Sequence, residues 1–220
     1  MESTAYKTLI MKYKNLLEKG CASFQIDDIN ILEDLKKFSL LEEFQQENWV
    51  NLRWCHWGIK FINNEEAMDF IKEYKDLTNP SQVYFQEGID TQYDDKQPHI
   101  FRISNTIKKW TSEAYGIDES KIKHPALTLN VMPNGFHIRN HRDGGDGGVS
   151  RLVAVLIYMN EDWDESHGGE LVIHGGDETI TPNFGKVAMI DLTKHDIEHE
   201  VKLIKGNTNR KVILSFVSKC

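Results

Sequence analysis

The sequence predicts a mainly β protein with flanking helices, of class α+β, whose core is a jelly roll, also called a double-stranded β-helix. After His124 the chain breaks into short β-type runs separated by turns rich in Gly, Asn and Pro. This succession of short strands and turns is typical of a β-sandwich or jelly roll and differs from alternating strand and helix units. Before that point apolar residues recur at three- and four-residue steps, which is typical of amphipathic helices.

Helices dominate the prediction for the first part of the chain. The apolar residues from Tyr6 to Leu17 form one helical face, and Gly20 is a plausible stop for that helix. The remaining helices are predicted at Leu32 to Leu41, Ala67 to Tyr74 and Ile103 to Tyr115. Between them, the aromatic and β-branched residues of 51–62 predict a strand.

Eight short strands are predicted in the second part of the chain. They are 126–132, 136–141, 151–159, 170–174, 179–181, 186–191, 199–204 and 211–217. We expect residues 121–220 to form the jelly-roll core, and residues 1–120 to pack on its outside as a helical and strand-containing region of one folding unit.

The charge and cysteine content of the chain indicate which partners and which compartment to expect. The net charge of −8 gives no field that would attract a phosphate backbone, so we expect no nucleic-acid partner. The three cysteines, Cys21, Cys55 and Cys220, show no C-x-x-C spacing, which argues against a disulfide framework or a thiolate zinc site. No apolar run reaches membrane-spanning length. We therefore expect a soluble cytoplasmic protein in a reducing compartment.

The segment Asn140 to Gly145 contains a His-x-Asp motif. On an extended chain residues two apart point to the same side, so His141 and Asp143 can reach one metal ion. A histidine from a distant strand would complete a facial triad of two histidines and one carboxylate, as in non-haem iron(II) oxygenases. The open coordination positions suit 2-oxoglutarate and dioxygen. Because His-x-Asp alone is a weak motif, its sequence context matters.

His199 is the preferred second histidine, since a β-type run follows it directly and Arg210 opens the last strand. A guanidinium at that position can pair with the distal carboxylate of 2-oxoglutarate through two parallel hydrogen bonds. His195, which lies in a polar turn, is the competing ligand.

The stretch from Leu127 to Val217 resembles the prolyl-4-hydroxylase-like branch of the 2-oxoglutarate oxygenase superfamily. The matching elements are His141-x-Asp143, Tyr158 to Trp163, Gly168 to Leu171, Pro182-x-x-Gly185, His199 to Val201, and Arg210. The resemblance implies that Tyr158 bonds the distal carboxylate of 2-oxoglutarate beside Arg210, and that Arg151 lies close to the substrate. Where the family often has a tyrosine upstream of the first metal histidine, this chain has Val131. One cosubstrate contact is therefore missing or replaced.

The function that the resemblance implies is oxidative. Fe(II), 2-oxoglutarate and O2 would hydroxylate an unactivated carbon of an amino-acid-type substrate, free, peptidyl or carrier-bound, with release of succinate and CO2. An oxygenase acting on another small molecule is an alternative. A nucleic-acid demethylase would usually carry a further arginine where this chain has Phe216, and a radical halogenase would lack the carboxylate of Asp143. A non-catalytic metal-binding jelly-roll module is the rival from a different class.

Several neighbouring residues have two interpretations. His137 and Arg139 share strand parity with His141, so they either line the pocket or form a solvated strand face. Trp163 and the pair Gly168-Gly169 are interpreted as structural residues of a strand-loop-strand turn. The glycines of 144–148 lack the lysine and helix of a phosphate loop, and predict a mobile loop at the mouth of the site.

Overall fold

A computed structural model provides the structure of this protein. It describes residues 4–39, 53–54, 59–60, 85–89, 98–132, 134–135, 137–143, 151–175, 178–194, 197–206 and 208–220. The predicted helix at 67–74, the glycine-rich segment 144–148 and His195 lie outside the described residues, as does most of the strand predicted at 51–62.

Three of the predicted helices lie within the described residues. They are α1 (Thr4–Lys19), α2 (Ile29–Ser39) and α3 (Pro98–Tyr115). Gly20 follows α1 with a φ of 80°, which confirms it as the stop. The third helix begins earlier than predicted, because Pro98 lacks a backbone N–H and is therefore well suited to a first helical position. Among the described helices none is long and apolar enough to cross a membrane.

The β-strands form two larger antiparallel sheets. Their bounds are β1 (Cys21–Gln25), β2 (Arg53–Trp54), β3 (Ile59–Lys60), β4 (Phe85–Ile89), β5 (Leu127–Met132), β6 (Ile138–His141), β7 (Arg151–Tyr158), β8 (Leu171–Ile173), β9 (Glu178–Ile180), β10 (Lys186–Asp191), β11 (His199–Val201) and β12 (Arg210–Ser218). The major sheet has the order β1-β10-β7-β12-β5-β4, the minor sheet the order β6-β11-β8-β9, and β2 pairs with β3.

All eight strands predicted after residue 124 are present, and two further strands, β1 and β4, were not predicted. These two are the edges of the major sheet. The N-terminal region therefore supplies both edge strands of the sheet as well as the helices that cover it. The division into a region before residue 120 and a core after it stays a prediction.

The major sheet separates two apolar clusters. On β12, Ile213 and Val217 pack with the helices, whereas Val212 and Leu214 face the minor sheet. The second cluster combines residues of both sheets, so we call the space between them the interior. The candidate functional residues lie in this interior.

Candidate metal centre and cosubstrate site

The three predicted metal ligands come together at one end of the minor sheet. Since β6 and β11 are neighbours, His141 at the end of β6 lies opposite His199 at the start of β11. Asp143 lies between them, with Oδ1 3.4 Å from Nε2 of His141 and Oδ2 3.5 Å from Nε2 of His199. These ligand atoms all lie within 4.8 Å of one another. Adjacent ligands of an octahedral ion are about 3 Å apart, so small shifts would let the triad bind Fe(II).

Backbone carbonyls orient both imidazole rings of this triad. Nδ1 of His141 lies 2.9 Å from the carbonyl of Arg139, and Nδ1 of His199 lies 3.2 Å from the carbonyl of Ile197. In the tautomer with the proton on Nδ1, each ring donates to its carbonyl and keeps the Nε2 lone pair for a metal ion. This second hydrogen bond is the usual support of a metal-binding histidine. The donor set therefore fits a metal ion.

The ionisation state of Asp143 also fits a role as a metal ligand. Burial alone would raise the pKa of Asp143, but hydrogen bonds and charge attraction from His141 and His199 together outweigh it and hold that pKa well below its usual value. Burial is also the largest effect on His141 and acts to lower its pKa, but the hydrogen bonds to Asp143 and to the Arg139 carbonyl, together with the charge attraction of Asp143, raise the pKa overall. The carboxylate is thus ionised at neutral pH, as metal coordination requires.

A β-bulge precedes His141, so side chains on β6 do not alternate regularly between Arg139 and His141. Ile138 pairs with Val201 and His141 with His199, so two residues of β6, Arg139 and Asn140, face one residue of β11. His141 and Ile138 consequently share the interior side, and Arg139 is exposed. Of the two interpretations of Arg139, the solvated one holds.

Glu198 anchors the outer side of this segment. It accepts hydrogen bonds from Nδ2 of Asn140 at 2.9 Å and from the Arg142 guanidinium at 2.8 Å. These two residues flank His141 in the sequence, so the contacts to Glu198 fix the backbone that carries the first metal histidine.

Arg210 is buried in the interior, with 1% of its surface exposed. Its Nε donates to the carbonyl of Gly169 at 2.8 Å, while its terminal nitrogens have only weak contacts, 3.4 Å to the Tyr158 hydroxyl and 3.7 Å to Sδ of Met132. Among the described residues no carboxylate forms a salt bridge with it. Burial lowers the pKa of Arg210, although a guanidinium stays protonated. A buried cation of this kind requires an anion, and its terminal nitrogens suit a carboxylate.

Tyr158 lies beside this guanidinium. The Arg210 Cζ is 5.1 Å from the centre of the Tyr158 ring, and the tyrosine side chain is fully buried. Burial raises the pKa of Tyr158 to about 12, so the hydroxyl remains a hydrogen-bond donor at neutral pH. Both residues implied by the resemblance are therefore placed to share one carboxylate.

The structural interpretation of Trp163 and the glycine pair holds for the described contacts. Trp163 donates from Nε1 to the Gly168 carbonyl at 3.0 Å. Gly169 has a φ of 71°, and a Cβ on it would lie 3.0 Å from Cζ2 of Trp163 and 3.3 Å from Cδ of Arg210. Its own carbonyl accepts the Arg210 Nε hydrogen bond. Gly169 therefore positions the guanidinium, a role that sequence reasoning did not assign.

Gly169→Ala is expected to lower both stability and cosubstrate affinity. The left-handed backbone conformation costs a non-glycine residue about 1 kcal/mol or more, and the new methyl group would push on Arg210. Gly175→Ala is the matched control, since Gly175 has a φ of 84° but nothing within 4 Å of an added Cβ. Chemical denaturation should show a loss in both variants. Titration with 2-oxoglutarate should show weaker binding in Gly169→Ala alone, and an unchanged affinity there would contradict the positioning role.

Val131 does not face the cosubstrate site. It is buried in the helix-side cluster, whereas the next residue, Met132, faces the interior and contacts the Arg210 guanidinium through Sδ. Val131 therefore makes no contact in the interior, and the expectation that one cosubstrate contact is missing or replaced stays a prediction. Met132 fills the interior position, so a thioether stands next to the guanidinium.

Arg151 lies at the opposite end of the interior from Arg210. Its guanidinium carbon is 4.5 Å from the centre of the Phe216 ring, an arrangement typical of a cation-π contact. The interior residues of β12 become more accessible in this direction, from buried Arg210 and Val212 to partly exposed Leu214 and Phe216. Among the described residues, the interior is thus closed at Arg210 and more accessible toward Arg151.

Comparison with known families finds similarity over the second part of the chain. Residues 127–218 match the family described as the 2OG-Fe(II) oxygenase superfamily, almost the same stretch from which the resemblance was drawn. The mouse protein Prolyl 3-hydroxylase OGFOD1 is 23% identical over 159 residues, which cover 66% of this chain. The chain spans 27% of the length of that relative.

Solved structures show the same fold. A prolyl-4-hydroxylase of Pseudomonas putida has a TM-score of 0.65 and 14% identity, covering 97% of this chain and 100% of the other. A prolyl hydroxylase from Trichoplax adhaerens, in complex with a hypoxia inducible factor oxygen degradation domain peptide fragment, has a TM-score of 0.72 and 16% identity, covering 99% and 94%. The predicted double-stranded β-helix is confirmed.

The predicted resemblance is confirmed as well: residues 127–218 are similar to the 2OG-Fe(II) oxygenase superfamily, and the relatives named above are prolyl hydroxylases. Iron(II), 2-oxoglutarate and dioxygen are the metal and cosubstrates expected of that family, and the triad of His141, Asp143 and His199 fits the metal.

Proposed function

We propose that the protein is an Fe(II)- and 2-oxoglutarate-dependent dioxygenase that hydroxylates an unactivated carbon of an amino-acid-type substrate. His141, Asp143 and His199 hold the iron, and Arg210 and Tyr158 hold the distal carboxylate of 2-oxoglutarate. The observation that carries the proposal is that one interior contains both a facial ligand triad and a buried guanidinium without a carboxylate partner among the described residues. In a metal-binding module without a cosubstrate, the buried charge of this guanidinium would have no anion to pair with.

Different residues of this chain bind the metal and orient the cosubstrate. Bound iron supplies the oxidising chemistry, in which 2-oxoglutarate and O2 become succinate and CO2 while the substrate gains one oxygen atom. The carbonyls of Arg139 and Ile197 hold the two imidazoles in the tautomer that binds metal. Arg210 and Tyr158 orient the cosubstrate, and their burial keeps bulk water away from that end of the interior.

The open end of the interior supports an amino-acid unit as the substrate. Leu156, Leu214 and Phe216 are partly exposed there and give an apolar wall, while Arg151 adds a cation at its edge. We infer that the apolar wall contacts the carbon chain to be hydroxylated and that Arg151 binds a carbonyl or carboxylate of the substrate. The similarity to prolyl hydroxylases favours peptidyl proline as the first substrate to test, ahead of free and carrier-bound amino acids.

Incubation of the protein with iron(II), 2-oxoglutarate and a panel of proline-containing peptides and free amino acids tests the function. We expect succinate in amounts matching a product that has gained one oxygen atom, and none in Asp143→Ala or without iron. Excess chloride should leave the product free of halogen, because Asp143 occupies the position that a halogenase would leave to halide. Halogenated product from the unmutated protein would remove Asp143 from the metal site. Absence of succinate under every condition would favour the non-catalytic metal-binding module.

A further inference from the structure

Three buried polar atoms have no hydrogen-bond partner among the described residues: Nε2 of His99, Oδ1 of Asn130 and Oγ of Ser215. A buried polar atom without a partner is costly unless a ligand or a water satisfies it. Asn130 differs from the other two because its amide carries two donors as well as an acceptor. Its side chain is 6% exposed.

Strand alternation places Asn130 on the interior side of β5. Its neighbours Leu129 and Val131 pack in the helix-side cluster, and the residue two positions on, Met132, contacts Arg210. His99 lies instead on α3, and Ser215 shares the side of Ile213 and Val217, which face the helices. Asn130 is therefore the only one of the three that faces the interior.

The sheet register places Asn130 in one row with Tyr158. Val212 of β12 pairs with Asn130 on one side and with Tyr158 on the other. Two residues along the same strands, Met132 pairs with Arg210. Asn130 thus lies between the row of Arg210 and Met132 at the closed end and the row that contains Leu214 of the apolar wall, next to the position proposed for the cosubstrate.

We propose that Asn130 is a further contact for 2-oxoglutarate, whose carboxylate oxygen accepts a hydrogen bond from the side-chain amide Nδ2. This inference rests on the proposed function. The cosubstrate carries only acceptors at its carboxylates, so a neutral amide donor complements the cation of Arg210 and the hydroxyl of Tyr158. A half-turn of the amide exchanges its oxygen and nitrogen, so either edge can present the donor. Asn130 can therefore replace the tyrosine contact that the resemblance implies to be missing from this chain.

Anaerobic titration of the iron(II)-loaded protein with 2-oxoglutarate tests this assignment, with the charge-transfer absorption as the readout. Asn130→Leu has a similar volume and no hydrogen-bonding group, and should weaken 2-oxoglutarate binding about tenfold, the effect of one hydrogen bond to a charged group. Iron content should stay at the wild-type level. Ser215→Ala is the matched control, because it removes a buried unpartnered atom on the other side of the sheet and should leave the affinity unchanged.

Asn130→Asp provides a second, isosteric variant in case the leucine disturbs folding. Its added negative charge would oppose a carboxylate, so the loss of affinity should exceed that of the leucine variant. Wild-type affinity in the folded variants would overturn the contact, even with Arg210→Ala weakened. If the unmutated protein fails to bind 2-oxoglutarate, the proposed function itself is wrong and this contact falls with it.

Discussion

His199→Ala is expected to abolish the charge-transfer absorption that iron(II) and 2-oxoglutarate give together under anaerobic conditions. The side chain is 5% exposed and its Nε2 is one of three ligand atoms directed at a common point. Loss of a group that only hydrogen-bonds to a metal ligand typically weakens metal binding by about 10- to 100-fold, so loss of a ligand itself should exceed that range. Metal analysis after desalting should show iron well below one equivalent per chain.

His174→Ala is the matched control for this experiment. His174 directly follows β8 of the minor sheet and also faces a carboxylate, with Nε2 3.5 Å from Oε1 of Glu200, yet it is outside the triad and exposed. Its removal should leave both the absorption and the iron content unchanged. His195 deserves the same substitution because it was the competing ligand in the sequence. If His195→Ala abolishes the absorption and His199→Ala retains it, the second histidine has been assigned to the wrong residue.

The interior strands of the fold could be predicted, but the edge strands could not. β7 and β12 lie between other strands and are covered by helices on one side and the minor sheet on the other, so long β-branched and apolar runs mark them. β1 and β4, at the two edges, read CASFQ and FQEGI. Such short segments, with polar residues or glycine, carry little periodicity, and only their pairing with β10 and β5 defines them.

The site shows where strand parity is reliable. Between His141 and Asp143 the parity argument brought both side chains to one point, whereas the bulge leaves Arg139 exposed although it shares sequence parity with His141. On β5, only the structure shows that Val131 faces the helices and that Met132 contacts Arg210. The contact between Gly169 and Arg210 is tertiary, so it could not be predicted from the spacing of residues in the sequence.

The sequence pattern around Asn130 could have indicated that this residue is unusual. It is the one amide in the run LTLNVM, and alternation alone groups it with Met132 on the side opposite Leu129 and Val131. A polar residue on the buried face of an apolar strand requires a partner. The sequence could not say whether that partner was another side chain, because the answer depends on which strands flank β5.

Arg210→Ala should weaken 2-oxoglutarate binding by about one to three powers of ten, the effect of a charge-assisted bidentate pair in a buried site. The guanidinium is 1% exposed and is held by the Gly169 carbonyl, so its terminal nitrogens are already oriented and little side-chain freedom is lost on binding. Titration of the iron(II)-loaded variant gives the affinity directly. Arg210→Lys should recover only part of it, since an ammonium keeps the charge without the two parallel donors.

Lys211→Ala separates the effect of Arg210 from a general effect of charge in this strand. Lys211 is the adjacent residue of β12, so its side chain points to the other face of the sheet, and its backbone N–H is bonded to Oδ1 of Asn160 independently of the side chain. We therefore expect wild-type 2-oxoglutarate affinity. Equal losses in Lys211→Ala and Arg210→Ala would mean that the cosubstrate responds to the net charge near β12, and the assignment of its distal carboxylate to Arg210 would have to be abandoned.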